Sequence, residues 1–343
     1  MVKIKVLIAD DSAFMRRIIN DIISSQSDME IVGYARDGQD AVNKALLLKP
    51  DLITMDIEMP KKNGLEATKE ILYRHKCKVI MVSSHTSTGS EITMEALSSG
   101  AYHFIQKPNI SQGVNMDTIG RELIDLIRSA FQNDSNSYDG NSKPYNSLSC
   151  NNACPLGLQP KCLLLGASTG GPKVLFNIIK GIPNTIKVPV FVVQHMPSLF
   201  TKAFADRINK SSSLQVYEAE DGMKPEGGKV YIAPGGYHMV LEYGLIRLNE
   251  SPTVHGVRPS VDNLFISAAN YYEAPMVACI FTGMGRDGAE GIKAVKRYGG
   301  YVLAQDQATS TVFGMPKAAI DTGCVDKVLS DIQIGEELKH IFS

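Results

Sequence analysis

Short apolar runs and amphipathic stretches alternate along most of this 343-residue chain. In residues 1–132 the pattern predicts strands at Lys3–Ala9, Glu30–Ala35, Leu52–Asp56, Val79–Ser83 and Tyr102–Ile105. Helices are predicted at Ser12–Ser25, capped by Ser12, and at Gln39–Lys49, Gly64–Tyr73, Ser90–Ser98 and Thr118–Gln132. A strand followed by a helix, repeated along one segment, predicts a doubly wound parallel sheet. Ligands of such sheets bind beyond the carboxyl ends of the strands. Residues 133–160 are poor in aliphatics and rich in Asn and Ser, a composition that cannot bury enough surface to fold alone. They are expected to form a flexible tether.

Residues 161–343 repeat the alternation. Strands are predicted at Cys162–Leu165, Pro189–Gln194, Met276–Phe281, Tyr301–Ala304 and Val325–Val328. Helices are predicted at Lys173–Gly181, Ser198–Lys210, Val261–Tyr272, up to Tyr298, near Pro316–Thr322, and at the end of the chain. Four short strands, Leu214–Glu218, Lys229–Ala233, Met239–Glu242 and Leu245–Leu248, have glycine turns between them and predict an antiparallel excursion. The expected fold class is therefore α/β: two domains, each a mostly parallel sheet flanked by helices.

Composition narrows the functions. A formal net charge of -1 gives no electrostatic basis for non-specific binding to nucleic acid or an anionic membrane. The N-terminal apolar run stops at Asp10, too early for a secretory signal, and nothing is long enough to span a bilayer. The cysteines at 77, 150, 154, 162, 279 and 324 have no zinc-site spacing and are read as free thiols in a reducing cytoplasm.

In the first half, polar residues stand at the strand ends: Asp10-Asp11, Asp56, Ser83-Ser84 and Lys107-Pro108. Three carboxylates converging in one crevice call for a cation, and a hard ion such as Mg²⁺ suits oxygen ligands. An aspartate beside such an ion is an activated nucleophile toward a phosphoryl donor. The plainer reading makes such acids helix caps, a role open to Asp11. The whole set, with Pro60 and Gly64 after the third strand, resembles the receiver domain of two-component response regulators. The resemblance implies a flavodoxin-like (βα)5 fold, Asp56 as phosphoacceptor, and Asp10 and Asp11 joining it around Mg²⁺. It also implies that Ser83 and Lys107 sense the phosphoryl group.

In the second half, Gly166-Ala167-Ser168-Thr169-Gly170-Gly171-Pro172 turns a predicted buried strand sharply into a helix, with a serine at the corner. This fits the nucleophile-elbow pattern, and the unpaired first amides of such a helix can stabilise an oxyanion. His195 and Asp287 each follow another apolar strand, so all three can meet at one sheet edge as hydroxyl, base and orienting carboxylate. His238 or His255 could be the base instead; Asp221 and Asp262 are rivals for the acid, and Asp287 could simply cap the next helix. The order Ser, His, Asp excludes the α/β-hydrolase fold, which ends on its histidine; His340 lies inside the terminal helix.

These motifs, with Gln194-His195-Met196-Pro197, Arg258-Pro259-Ser260-Val261-Asp262 and Thr282-Gly283-Met284-Gly285-Arg286-Asp287-Gly288, resemble the catalytic domain of chemotaxis protein-glutamate methylesterases. The resemblance implies demethylation of glutamate γ-methyl esters, and deamidation of specific glutamines, on chemoreceptor helices. It implies Ser168 as nucleophile, His195 as base, Asp287 as orienting acid, and backbone amides near Thr169 and Met284 as the oxyanion hole. It further implies a chemotaxis histidine kinase as phosphodonor, no cofactor for the ester chemistry, and a receiver that covers the active-site crevice until Asp56 is phosphorylated. Two other classes fit parts of the pattern. Gly166 to Gly170 is similar to the opening of short-chain reductases, but Pro172 stands where they need glycine and no Tyr-x-x-x-Lys follows. A DNA-binding output half would be shorter and more basic.

Overall fold

The computed structural model describes residues 3–83, 86–107, 116–135 and 157–343. Ser84, His85, Pro108, Cys150, Cys154 and most of the expected tether lie outside the described residues. The chain divides into two compact units, Met1–Tyr138 and Asp139–Ser343.

The first unit has five parallel strands, β1 (Ile4–Ala9), β2 (Met29–Ala35), β3 (Leu52–Asp56), β4 (Lys78–Ser83) and β5 (His103–Gln106), in the order β2-β1-β3-β4-β5. Their helices are α1 (Ala13–Ser24), α2 (Gly38–Leu48), α3 (Gly64–Arg74), α4 (Ser87–Ser98) and α5 (Met116–Ser135). β3 is buried along its whole length, as a central strand covered on both faces must be. Strand order reverses between β1 and β3, so the crevice of the fold opens where Asp10 and Asp56 emerge. Ser12 caps α1, its hydroxyl accepting from Met15 N, which removes Asp11 from that role.

The second unit has a seven-stranded sheet in the order β14-β13-β12-β6-β7-β9-β8. Its strands are β6 (Leu163–Ala167), β7 (Val190–Gln194), β8 (Gln215–Glu218), β9 (Lys229–Ile232), β12 (Val277–Ile280), β13 (Tyr301–Gln305) and β14 (Lys327–Leu329). A separate pair, β10 (His238–Glu242) and β11 (Leu245–Asn249), forms an antiparallel hairpin. This hairpin is the antiparallel excursion expected among the four short strands, while β8 and β9 pair parallel within the main sheet. Glycine turns punctuate a hairpin and a crossover alike, so periodicity alone does not choose between them. The helices are α6 (Gly171–Gly181), α7 (Ser198–Ser211), α8 (Val261–Tyr272), α9 (Ala289–Arg297), α10 (Met315–Asp321) and α11 (Asp331–Phe342). α6 starts before its predicted Lys173 because Pro172 fits the first helical turn, where no amide is needed.

The core of this unit joins Leu164, Phe191, Val193, Phe265, Ala278, Ile280 and Val302, all fully buried. It fixes three strand ends side by side. Gly166 is in register with Ile280 of β12 on one side and Val193 of β7 on the other.

Candidate active site

Ser168 is the first residue past β6 and His195 the first past β7, and these strands are paired with Ala167 opposite Gln194. The next step along both strands therefore sets Ser168 beside His195, and His195 N donates to Ala167 O at 3.2 Å. Ser168 N is held by Thr282 O at 3.0 Å, from the loop after β12. Gly283 packs directly on the serine: a methyl there would fall 2.8 Å from Ser168 Cβ and 2.4 Å from Met315 Sδ. Only glycine permits that approach.

His195 Nε2 lies 2.8 Å from Asp287 Oδ2, and both side chains are nearly buried. Asp287 is saturated with donors. Its Oδ2 also accepts from Val261 N at 2.7 Å, while Oδ1 accepts from Ser260 Oγ at 2.9 Å and Asp262 N at 3.0 Å. The two amides and the cap residue Ser260 open α8, so the carboxylate sits on a helix N-terminus where the dipole favours negative charge. Burial pushes the Asp287 carboxyl up. The hydrogen bond and charge of His195, together with the two amides, outweigh it and hold the group below the usual carboxylate range. With Nε2 committed to Asp287, Nδ1 is the ring nitrogen left for a proton transfer.

The rival residues are engaged elsewhere. His238 is buried with Nε2 on Pro252 O at 3.1 Å, and Asp221 meets Arg247 at 3.2 Å and accepts from Leu248 N. His255 lies 3.2 Å from Asp262, which also accepts from Gly291 N at 2.7 Å in the first turn of α9. Asp287 does not cap α9, whose cap is Gly288; it serves α8, while Asp262 of α8 serves α9. Burial and the Asp287 charge raise the Asp262 pKa against the pull of the Gly291 amide and His255. His255, Asp262 and Asp287 are close enough together to share an ion, but the lone pairs of Asp287 are already taken by four N–H and O–H donors.

Thr169 N and Met284 N donate to no described residue, although Thr169 is 2% exposed. An amide as enclosed as that of Thr169 needs an acceptor, whereas Met284 is 38% exposed. Behind them lies a polar network not anticipated from the sequence. Thr282 Oγ1 donates to Thr169 O at 2.8 Å, and Thr282 N donates to Gln305 Oε1 at 2.8 Å. Gln194 Nε2 donates to Ser168 O at 2.9 Å and His195 O at 3.2 Å. Gln194, Ser260 and Thr282 all belong to the motifs quoted above, which is the one signal that could have found them.

In the first unit Lys107 Nζ lies 2.7 Å from Asp56 Oδ2 and 3.1 Å from Asp10 Oδ2. Lys107 is thus ion-paired with both carboxylates. Burial pushes Asp56 up to about 6, Lys107 opposing and Asp10 adding to the rise. Oxygens of Asp10, Asp11 and Asp56 all lie within 4.8 Å of one another. An all-oxygen set with surplus negative charge fits Mg²⁺. Ser83, at the end of β4, is buried, and its carbonyl receives Lys107 N at 2.7 Å.

Comparison with known proteins covers both units. The family model described as CheB methylesterase matches residues 163–338, and that of the response regulator receiver domain matches residues 6–116. A Thermotoga maritima protein named protein-glutamate methylesterase/protein-glutamine glutaminase is 46% identical over 98% of this chain and 97% of its own length. A Clostridium acetobutylicum protein of the same name is 42% identical over 99% of this chain and 98% of its own. The crystal structure of the Thermotoga maritima CheB methylesterase catalytic domain aligns with 54% of this chain and 100% of that chain, at 44% identity and a TM-score of 0.51. The chain therefore belongs to the CheB methylesterase family of hydrolases, with a response regulator receiver domain preceding the catalytic domain.

Proposed function

We propose that the chain is a phosphorylation-activated esterase that removes methyl groups from glutamate γ-methyl esters on chemoreceptor helices and deamidates selected glutamines there. The observation that carries this reading is the His195–Asp287 hydrogen bond at 2.8 Å, set one strand away from Ser168. Ser168 Oγ attacks the ester carbonyl while His195 Nδ1 takes the hydroxyl proton. Thr169 N and Met284 N receive the oxyanion, and Asp287 supports the imidazolium. The proton passes to the leaving oxygen, methanol departs, and water hydrolyses the acyl-enzyme to glutamate. A glutamine side chain follows the same path with ammonia leaving.

In the receiver, Asp56 accepts a phosphoryl group from a chemotaxis histidine kinase, and Ser83 and Lys107 meet its oxygens. Asp10, Asp11 and Asp56 would hold Mg²⁺, which offsets the charge that gathers on a transferring phosphoryl group. The domains run over residues 1–132 and 161–343, joined by the tether 133–160, and the protein works in the cytoplasm beside the receptors.

The test measures methanol release from methylated receptor membranes with and without a small phosphodonor. Ser168→Ala should abolish release yet leave Asp56 phosphorylation intact, and Asp56→Asn should hold the rate at its basal level with phosphodonor present. Esterase activity in Ser168→Ala, or full stimulation in Asp56→Asn, would each remove the corresponding half of the reading.

A further inference from the structure

A peptide unit is rigid and planar, so whatever grips its carbonyl also aims its amide, which points the opposite way. Thr169 N belongs to the same peptide as Ser168 O, and Met284 N to the same peptide as Gly283 O. Both carbonyls are bonded twice from behind. Ser168 O accepts from Gly171 N at 2.8 Å and Gln194 Nε2 at 2.9 Å; Gly283 O accepts from Met315 N at 2.8 Å and Gly314 N at 3.1 Å. Three of these four donors are backbone groups. The fourth is a side chain, that of Gln194.

Gln194 is fully buried at the end of β7, and its amide orientation is forced. Its nitrogen faces two carbonyl oxygens, Ser168 O and His195 O, so turning the amide over would set three oxygens together. Its own Oε1 is buried without a donor. An orphaned acceptor of this kind costs about 1–3 kcal/mol, which an apolar residue kept for packing would not incur. The backbone also leaves room for the amide: a methyl on Gly171 would fall 2.1 Å from Gln194 Oε1.

We infer that Gln194 is a positioning residue for ester cleavage: by gripping Ser168 O it aims and polarises the Thr169 amide toward the oxyanion, and through His195 O it ties that peptide to the base. This rests on the reading of Ser168, Thr169 and Met284 proposed above. A donor fixed before the reaction needs no reorganisation as charge develops, so its benefit appears in the transition state and not in ground-state binding.

Gln194→Met keeps the length of the side chain and removes its donor. In the full-length chain, with methylated receptor as substrate, kcat should fall roughly three- to tenfold, about one neutral hydrogen bond, with KM little changed. A peptide trifluoromethyl ketone in place of the ester adds the serine as a tetrahedral oxyanion, and its affinity should fall by the same factor. The melting temperature should change little, since the orphaned Gln194 Oε1 disappears while His195 O loses its donor. A wild-type kcat, or a slower enzyme with unchanged affinity for the ketone, overturns the inference. So does a loss of rate fully accounted for by a smaller folded fraction. Should the Met variant fail to fold, Gly171→Ala pushes the same amide away from Ser168 O, and kcat and ketone affinity should again fall together; a variant with both unchanged overturns the inference. Activity surviving in Ser168→Ala overturns the site reading and this inference with it, whereas normal turnover in Gln194→Met beside an inactive Ser168→Ala overturns this inference alone.

Discussion

Replacing Asp287 with asparagine removes one charge and almost no volume, yet the surroundings leave the amide no comfortable orientation. All four partners of the carboxylate are donors: Ser260 Oγ and Asp262 N on one oxygen, Val261 N and His195 Nε2 on the other. Turned one way, the new NH₂ group faces the Asp262 amide, which cannot become an acceptor. Turned the other way, it faces Val261 N and His195, and the imidazole can only respond by moving its proton to Nδ1. That tautomer has no base to offer Ser168. The structural cost combines one buried unsatisfied amide, about 1–3 kcal/mol, with the lost charge at the start of α8, about 0.3–2 kcal/mol. For a domain of this size each kcal/mol is roughly 2–4 °C in melting temperature, so a drop of about 3–20 °C is expected. On the proposed mechanism the catalytic loss should be larger, on the order of 10³–10⁴ in kcat, as when a serine-protease triad is given the wrong tautomer. Methanol release at saturating methylated receptor, corrected for folded fraction, reads the catalytic loss, and calorimetry reads the structural cost. A variant within tenfold of the parent kcat would refute the role given to this carboxylate, and an unchanged melting temperature would refute its part in holding α8.

Gly283→Ala drives a methyl to within 2.8 Å of Ser168 Cβ, and kcat should fall on the order of 10²-fold for a displacement of about 1 Å; near-normal methanol release would contradict the packing described. Lys107→Met removes the positive charge shared by Asp10 and Asp56, so calorimetric Mg²⁺ affinity should rise while stimulation by phosphodonor disappears. Burial lowers the His103 imidazole to about 4, whereas the unfolded chain binds the proton near ~6.5. The stability this group supports is therefore whole above the unfolded value and declines as pH drops toward the folded one. His103→Phe should flatten the fall in melting temperature between those limits, and curves that stay parallel would count against it.

The strands and most helices of both units were legible because they are short apolar runs and amphipathic stretches bounded by Gly, Pro and polar residues. Ends were less so. α5 runs Met116–Ser135 against a predicted Thr118–Gln132, and β5 lies one residue later than its pattern suggests. The candidate site divides in the same way. Ser168, His195 and Asp287 each follow an apolar run that can be read locally, so the fold class alone predicts where they stand. What holds them is tertiary. No local pattern says that Asp287 serves α8 while Asp262 reaches α9, or that Gln305 and Thr282 brace the serine loop. Such pairings join positions dozens of residues apart, and nothing in hydrophobic periodicity encodes them.

The pairing of β6 with β7 has a consequence for how this protein tolerates change. The gap between hydroxyl and imidazole is set by the ladder, through the bond from His195 N to Ala167 O, and not by the chain connecting them. Extra residues spliced between α6 and β7, or a cut made there with new termini, should leave the two residues side by side at the strand ends. That outer bend can therefore be reshaped without moving Ser168 and His195 apart along the sheet edge.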